Sequence, residues 1–230
     1  MQRRPSLELL DTDSGTPAEV AASMRDLRWF NRWFGGTRTS RILIETVARR
    51  TNQSEFTLLE VAAGEGYVPQ VLRQHFQLSQ IRLRITLLDR AASHLPANGA
   101  VETRKIAADA LSLPFSDGAF DLVSCSLFVH HLSPEQVIAF AEEALRVCRT
   151  AVLVHDLIRN PLHLALAYAG APLYHSRITR NDAPASVRQA YTVAETRSFF
   201  QKAGAAEVDA HSYYFFRMGV IAWKQPSASQ

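Results

Sequence analysis

At 230 residues with 47% hydrophobic content, the chain can bury a full core as one domain and falls outside the disordered class. Its two cysteines, Cys125 and Cys148, sit in apolar contexts, which excludes a disulfide scaffold and a paired-cysteine zinc site and reads as two reduced core thiols. A formal charge of +3 spread over scattered basic residues argues against a nucleic-acid partner, and no apolar run follows Met1 to Pro5, so neither a secretory signal nor membrane insertion is expected.

The expected location is therefore the cytoplasm, with the oligomeric state left open. Residues 1–15 read as a polar, frayed tail. Thr16 and Glu19 form a capping box, with Pro17 at the first helical position, where its missing N–H costs nothing. The helix that follows carries Trp29, Phe30, Trp33 and Phe34, with Arg25, Arg28 and Arg32 alongside, so residues 1–55 are expected to be a tail and a helical cap.

Branched apolar runs then predict strands at Thr57 to Val61, Arg84 to Leu88, Val101 to Ile106, Asp121 to Ser126 and Ala151 to His155. Helices are predicted between them at Val68 to Phe76, more weakly at Ala91 to His94, and at Pro134 to Cys148 behind a second capping box, Ser133 with Gln136. Within an insertion at about 157–191, the segment Leu162 to Tyr174 is apolar almost all round but too short to span a bilayer. It is expected to be buried, to form a lid, or to rest on a membrane surface. A third capping box, Thr192 with Glu195, opens a helix from Val193 to Ala203. Strand-like runs at Glu207 to Phe216 and Met218 to Trp223 then close as a hairpin at Arg217 to Gly219, and 225–230 is a tail. Strands alternating with helices imply a parallel sheet covered on both faces, with ligands bound at the carboxyl ends of the strands.

Chemistry concentrates at those ends. Leu58 to Tyr67 (LLEVAAGEGY) runs from a strand through Glu60 into a turn in which Ala62, Gly64 and Gly66 let a ligand approach the backbone, and the following helix start offers N–H groups. Asp89 ends the second strand, where a carboxylate can accept from both hydroxyls of a ribose or can simply cap the next element. Asp109, followed by Ala110, ends the third, where it can meet an exocyclic amine or serve as a loop acid. A dinucleotide fingerprint needs three spaced glycines, and none follows Gly66 in Tyr67 to Gln70.

With these motifs, the segment Ala107 to Val123 (AADALSLPFSDGAFDLV) and Ser124 to Leu132 (SCSLFVHHL), the chain resembles class I S-adenosylmethionine-dependent methyltransferases over roughly Thr57 to Trp223. It resembles methyltransferases of the ubiquinone and menaquinone biosynthesis type, and more closely a bacterial group of small-molecule methyltransferases. Asn31, Trp33, Gly35, Gly36, His155, Asp156, Leu157 and Arg159 add to the likeness to that bacterial group, some members of which are linked to polyketide-derived phenolic lipids. The resemblance implies a Rossmann-like α/β fold: a seven-stranded, mostly parallel sheet with an antiparallel C-terminal hairpin, in a methyltransferase domain at 56–224. It also implies S-adenosylmethionine as cofactor, held by Glu60, Ala62, Gly64, Gly66, Asp89, Asp109, Ala110 and Ser126, with Glu60 at the methionine end, Asp89 at the ribose and Asp109 with Ala110 at adenine. Two residues depart from the family turn, Glu60 where Asp is usual and Ala62 where Gly is usual, and Ala62 is expected to keep a negative φ.

The expected acceptor is a small, apolar phenolic or quinol-like molecule, methylated on oxygen first and carbon second. A histidine, with an ordinary pKa of about 6.5, suits a phenol as base. His131 is the first candidate and the pair His155 and Asp156 the second, with loop-orienting and strand-end structural roles as the alternatives. No metal site is expected. A non-catalytic S-adenosylmethionine-binding sensor or scaffold is the competing expectation, motivated by Ala62 and Glu60.

Overall fold

The computed structural model describes residues 1–11, 15–92, 95 and 103–224. Helices α1 (Pro17–Trp33) and α2 (Gly36–Thr51) lead into β1 (Glu55–Val61), α3 (Tyr67–Gln77), β2 (Arg82–Asp89), β3 (Arg104–Ala107), β4 (Phe120–Ser126), α4 (Pro134–Val147) and β5 (Cys148–Leu157). Helices α5 (Pro161–Ala169), α6 (Arg177–Gln189) and α7 (Val193–Lys202) precede the hairpin β6 (Glu207–Tyr213) and β7 (Arg217–Trp223). The strands form a seven-stranded sheet in the order β3-β2-β1-β4-β5-β7-β6, parallel except for β7, which runs antiparallel to both β5 and β6. Strand order therefore reverses between β1 and β4, so their carboxyl ends form the crevice where such sheets bind ligands.

All three capping boxes form as the sequence predicts, at Thr16, Ser133 and Thr192. The central strands are continuous apolar runs because both faces are covered, by α4 and α7 on one side and by α2 and α3 on the other. Cys125 and Cys148 are both buried and free. Among the described residues no helix is long and apolar enough to cross a membrane. The end of the expected helix at Ala91 to His94 and the start of the expected strand at Val101 lie outside the described residues, as does the tail 225–230.

Two expectations are overturned. The hairpin turns at Tyr214 to Phe216, not at Arg217 to Gly219: Phe215 and Phe216 take φ of 52° and 56°, and Arg217 is already paired with Tyr213. Gly219 serves packing in mid-strand, since a Cβ there would stand 2.6 Å from the Tyr213 ring and 3.0 Å from Leu43. Nor is the N-terminus frayed as far as Asp11. Arg3 donates to the carbonyls of Gln189, His130 and Leu132, and the backbone N–H groups of Leu9 and Leu10 donate to the Asp182 carboxylate. A polar segment becomes ordered because α6 and the loop after β4 offer it buried acceptors.

Candidate cofactor and acceptor site

A cavity of about 1180 Å³ opens at the carboxyl ends of β1, β2 and β4. The turn after β1 lines one wall. Ala62 has φ of 53°, so the expectation of a negative φ is corrected; Gly64 and Gly66 follow at 50° and 68°. The turn is pinned by the Ala63 N–H donating to the Leu88 carbonyl and the Gly66 N–H donating to that of Ala63, which forces the left-handed conformation onto an alanine. Nothing lies within 4 Å of where a Cβ on Gly64 would stand, so this backbone faces open space.

Asp89 is buried, and its carboxylate accepts from the Gly64 N–H at 2.9 Å and the Ala91 N–H at 3.0 Å, tying the ends of β1 and β2 together at the cavity. Asp109 accepts from the Leu111 N–H and, with Ala110, lines the far end. Glu60 is fully buried beneath the turn. Its carboxylate accepts a hydrogen bond from the Ser124 hydroxyl, and burial pushes its pKa up to about 7 against the pull of the Ser124 and Ser126 hydroxyls. Glu60, Ala62, Gly64, Asp89, Asp109, Ala110 and Ser126 all line the one cavity, and Gly66 caps α3 beside them.

The opposite end is built from residues far apart in the chain. His130, in the short turn after β4, is buried, and its Nδ1 stands 2.6 Å from Asp156 Oδ1. On its other side Nε2 is 3.6 Å from Glu8 Oε1, itself bonded by Ser186 and Gln189. Burial alone would push the His130 imidazolium down, but the two carboxylates outweigh it and hold the pKa at about 10. Asp156 and Glu8 are lowered in turn: burial opposes their charge, and His130 more than offsets it. His131 lies alongside, ring centroids 4.1 Å apart, with Nδ1 2.8 Å from Asp11. Glu8, His130 and His131 offer ligand atoms within 4.8 Å of one another.

His155 and Asp156 do not form a pair, contrary to expectation. Neighbours on a strand face opposite sides of the sheet. Asp156 therefore meets His130, while His155 points to the other face among Ser40, Leu43 and Ile44, outside the large cavity. Its ring nitrogens have no protein partner, and burial, with Arg217 nearby, pushes its pKa down to about 3. Glu8 and Asp11 went unnoticed in the sequence, since about 120 residues separate them from the histidines and no spacing connects them.

Residues 59–154 match the family model described as a methyltransferase domain. These residues carry a methyltransferase domain. Its fold is similar to that of the plantazolicin methyltransferase BpumL, solved with a triazolic desmethylPZN analog and SAH, with a TM-score of 0.71 at 12% identity over 94% of this chain and 95% of that one. Human N-acetylserotonin methyltransferase, solved with SAM, gives 0.62 at 14% identity over 87% of this chain. The methyltransferase SibL in its apo form gives 0.64 at 18% over 97%. The chain spans 54% of the human protein and 64% of SibL, and at these identities the likeness is one of fold. No curated protein matches the chain. The methyltransferase match covers the segment that supplies Glu60, the glycine turn, Asp89, Asp109 and the histidine pair.

Proposed function

We propose that this methyltransferase acts on a small, apolar phenolic or quinol-like acceptor, on oxygen first and carbon second, and that it belongs to the ubiquinone- and menaquinone-biosynthesis-like group. The observation that carries the reading is the single cavity with two unlike ends, one of acids and left-handed backbone, the other of histidines between carboxylates. At the first end Glu60 takes the methionine ammonium, Asp89 the ribose and Asp109 with Ala110 the adenine. Backbone at Ala62, Gly64 and Gly66 gives close approach, and Ser126 adds a hydroxyl. The open space over Gly64 and the buried Glu60 carboxylate fit such a ligand. When bound, S-adenosylmethionine supplies an electrophilic methyl group on a sulfonium.

At the other end His130, already protonated at neutral pH, serves as a fixed positive charge beside the acceptor oxygen and cannot take its proton. His131 takes it, with Asp11 orienting the ring through Nδ1. Bound at the first end, S-adenosylmethionine would supply its methyl carbon to that oxygen, with the sulfur–carbon bond the one broken and S-adenosylhomocysteine the product. Between the two ends Leu27, Phe30, Phe34, Leu166, Leu173 and Phe215 give the cavity an apolar wall suited to an aromatic ring. In this reading residues 1–55 and 157–191 form the cap and lid over the domain at 56–224, and the protein works in the cytoplasm.

The test is release of S-adenosylhomocysteine over a panel of phenols, quinols, carboxylates and azole peptides, with calorimetry of S-adenosylmethionine binding to the wild type and Asp89→Ala. Turnover confined to phenols or quinols, and an affinity lost in Asp89→Ala, are expected. An unchanged affinity would refute the ribose assignment, and turnover confined to azole peptides would refute the acceptor class.

A further inference from the structure

Helix α5 has the wrong side outward for a soluble protein. Of its nine residues only Ala167 is buried, while Leu162, Leu166 and Tyr168 are 60%, 47% and 49% exposed, and Leu173 just beyond is 67% exposed. Across the cavity mouth α1 presents Arg25, Trp29, Arg32 and Trp33 on one exposed face at i, i+4, i+7 and i+8. Trp29 and Trp33 are 43% and 61% exposed, and Arg25 has no ion pair among the described residues. The turn between β6 and β7 adds Tyr214 and Phe215, at 62% and 38%.

These three pieces form one surface. Phe34 stands 5.0 Å from both Trp29 and Phe215, and Phe30 is 5.5 Å from Tyr174, whose hydroxyl donates to the Ala167 carbonyl on α5. Trp29, Leu166, Leu173 and Phe215 are at once exposed and part of the cavity lining, so the apolar surface rims the mouth. Monomeric soluble proteins rarely leave an apolar patch of this kind uncovered.

We propose that this rim seats the protein reversibly on an anionic lipid surface, from which the acceptor enters the cavity directly. Tryptophans beside arginines are the composition of an element that lies in the headgroup layer, the rings among the acyl boundary and the guanidinium groups at the phosphates. Nothing in the rim is long enough to insert, which limits it to the interface. A second copy docked on the same face would close the mouth, whereas a bilayer both covers the rim and dissolves an apolar acceptor. The inference rests on reading the cavity as an acceptor pocket, but binding to lipid is measured without turnover, so either can fail alone.

The experiment is flotation of the full chain with phosphatidylcholine vesicles, with and without phosphatidylglycerol, beside light scattering for mass. None of the residues in the combined variant Trp33→Ser, Leu162→Ser and Tyr214→Ser itself lines the cavity. Wild type is expected to float with the anionic vesicles, and the triple variant to lose at least about tenfold in partitioning while retaining S-adenosylmethionine affinity and turnover of a water-soluble phenol. Arg25→Glu with Arg32→Glu should cost about tenfold or more on anionic vesicles and little on neutral ones. Wild-type protein that stays unbound to both vesicles overturns the proposal, as does a wild-type dimer that the triple substitution turns into a monomer.

Discussion

His130 Nδ1 stands 2.6 Å from Asp156 Oδ1 at the end of β5, and the opposite ring nitrogen faces Glu8 from the N-terminal segment, so one imidazolium is held between two buried carboxylates. Removing one carboxylate should return the ring toward an ordinary histidine. In Asp156→Asn the His130 pKa should fall from about 10, seen by NMR titration of the ring, and turnover should drop about 10²- to 10³-fold with cofactor affinity unchanged. Turnover at the wild-type level would remove His130 from the mechanism.

The same ring links pH to stability. Because its folded pKa lies above the unfolded value of about 6.5, its contribution is fully present below pH ~6.5 and is lost as pH rises through about 10. Urea unfolding of the wild type should show this alkaline loss, and Asp156→Asn should flatten it. An identical slope in both proteins would contradict the pairing.

In the proposed site Glu60 ties cofactor affinity to pH in the opposite sense. With its pKa pushed up to about 7, the carboxyl is protonated in acid and cannot hold an ammonium. Affinity for S-adenosylmethionine should rise about tenfold per pH unit up to about 7 and then level. Calorimetry at pH 6 in buffers of different ionisation enthalpy should register a proton released on binding, and Glu60→Gln should abolish it.

Ala62 is a non-glycine residue at φ 53°, where the left-handed backbone costs roughly 1–2 kcal/mol. Glycine removes that cost but adds chain entropy to the unfolded state. Ala62→Gly should therefore raise unfolding free energy by about 0.5–1 kcal/mol and leave cofactor affinity within about twofold. Destabilisation by the glycine would mean that the turn is relaxed with alanine.

Local signals by themselves determined much of this protein. The capping boxes at Thr16, Ser133 and Thr192, the alternation of apolar strands with helices, and the acids at the ends of β1, β2 and β3 are short-range features, set by hydrogen bonds and side-chain periodicity within a few residues. Hence the fold was legible, and so was the gathering of these acids at one end of the cavity. Tertiary structure alone decided the histidine end. Pleating sent His155 and Asp156 to opposite faces, strand pairing moved the hairpin turn to Tyr214 to Phe216, and packing of the first eleven residues on α6 brought Glu8 and Asp11 to histidines about 120 positions away. Such contacts depend on how the chain closes in space, and no residue spacing encodes them.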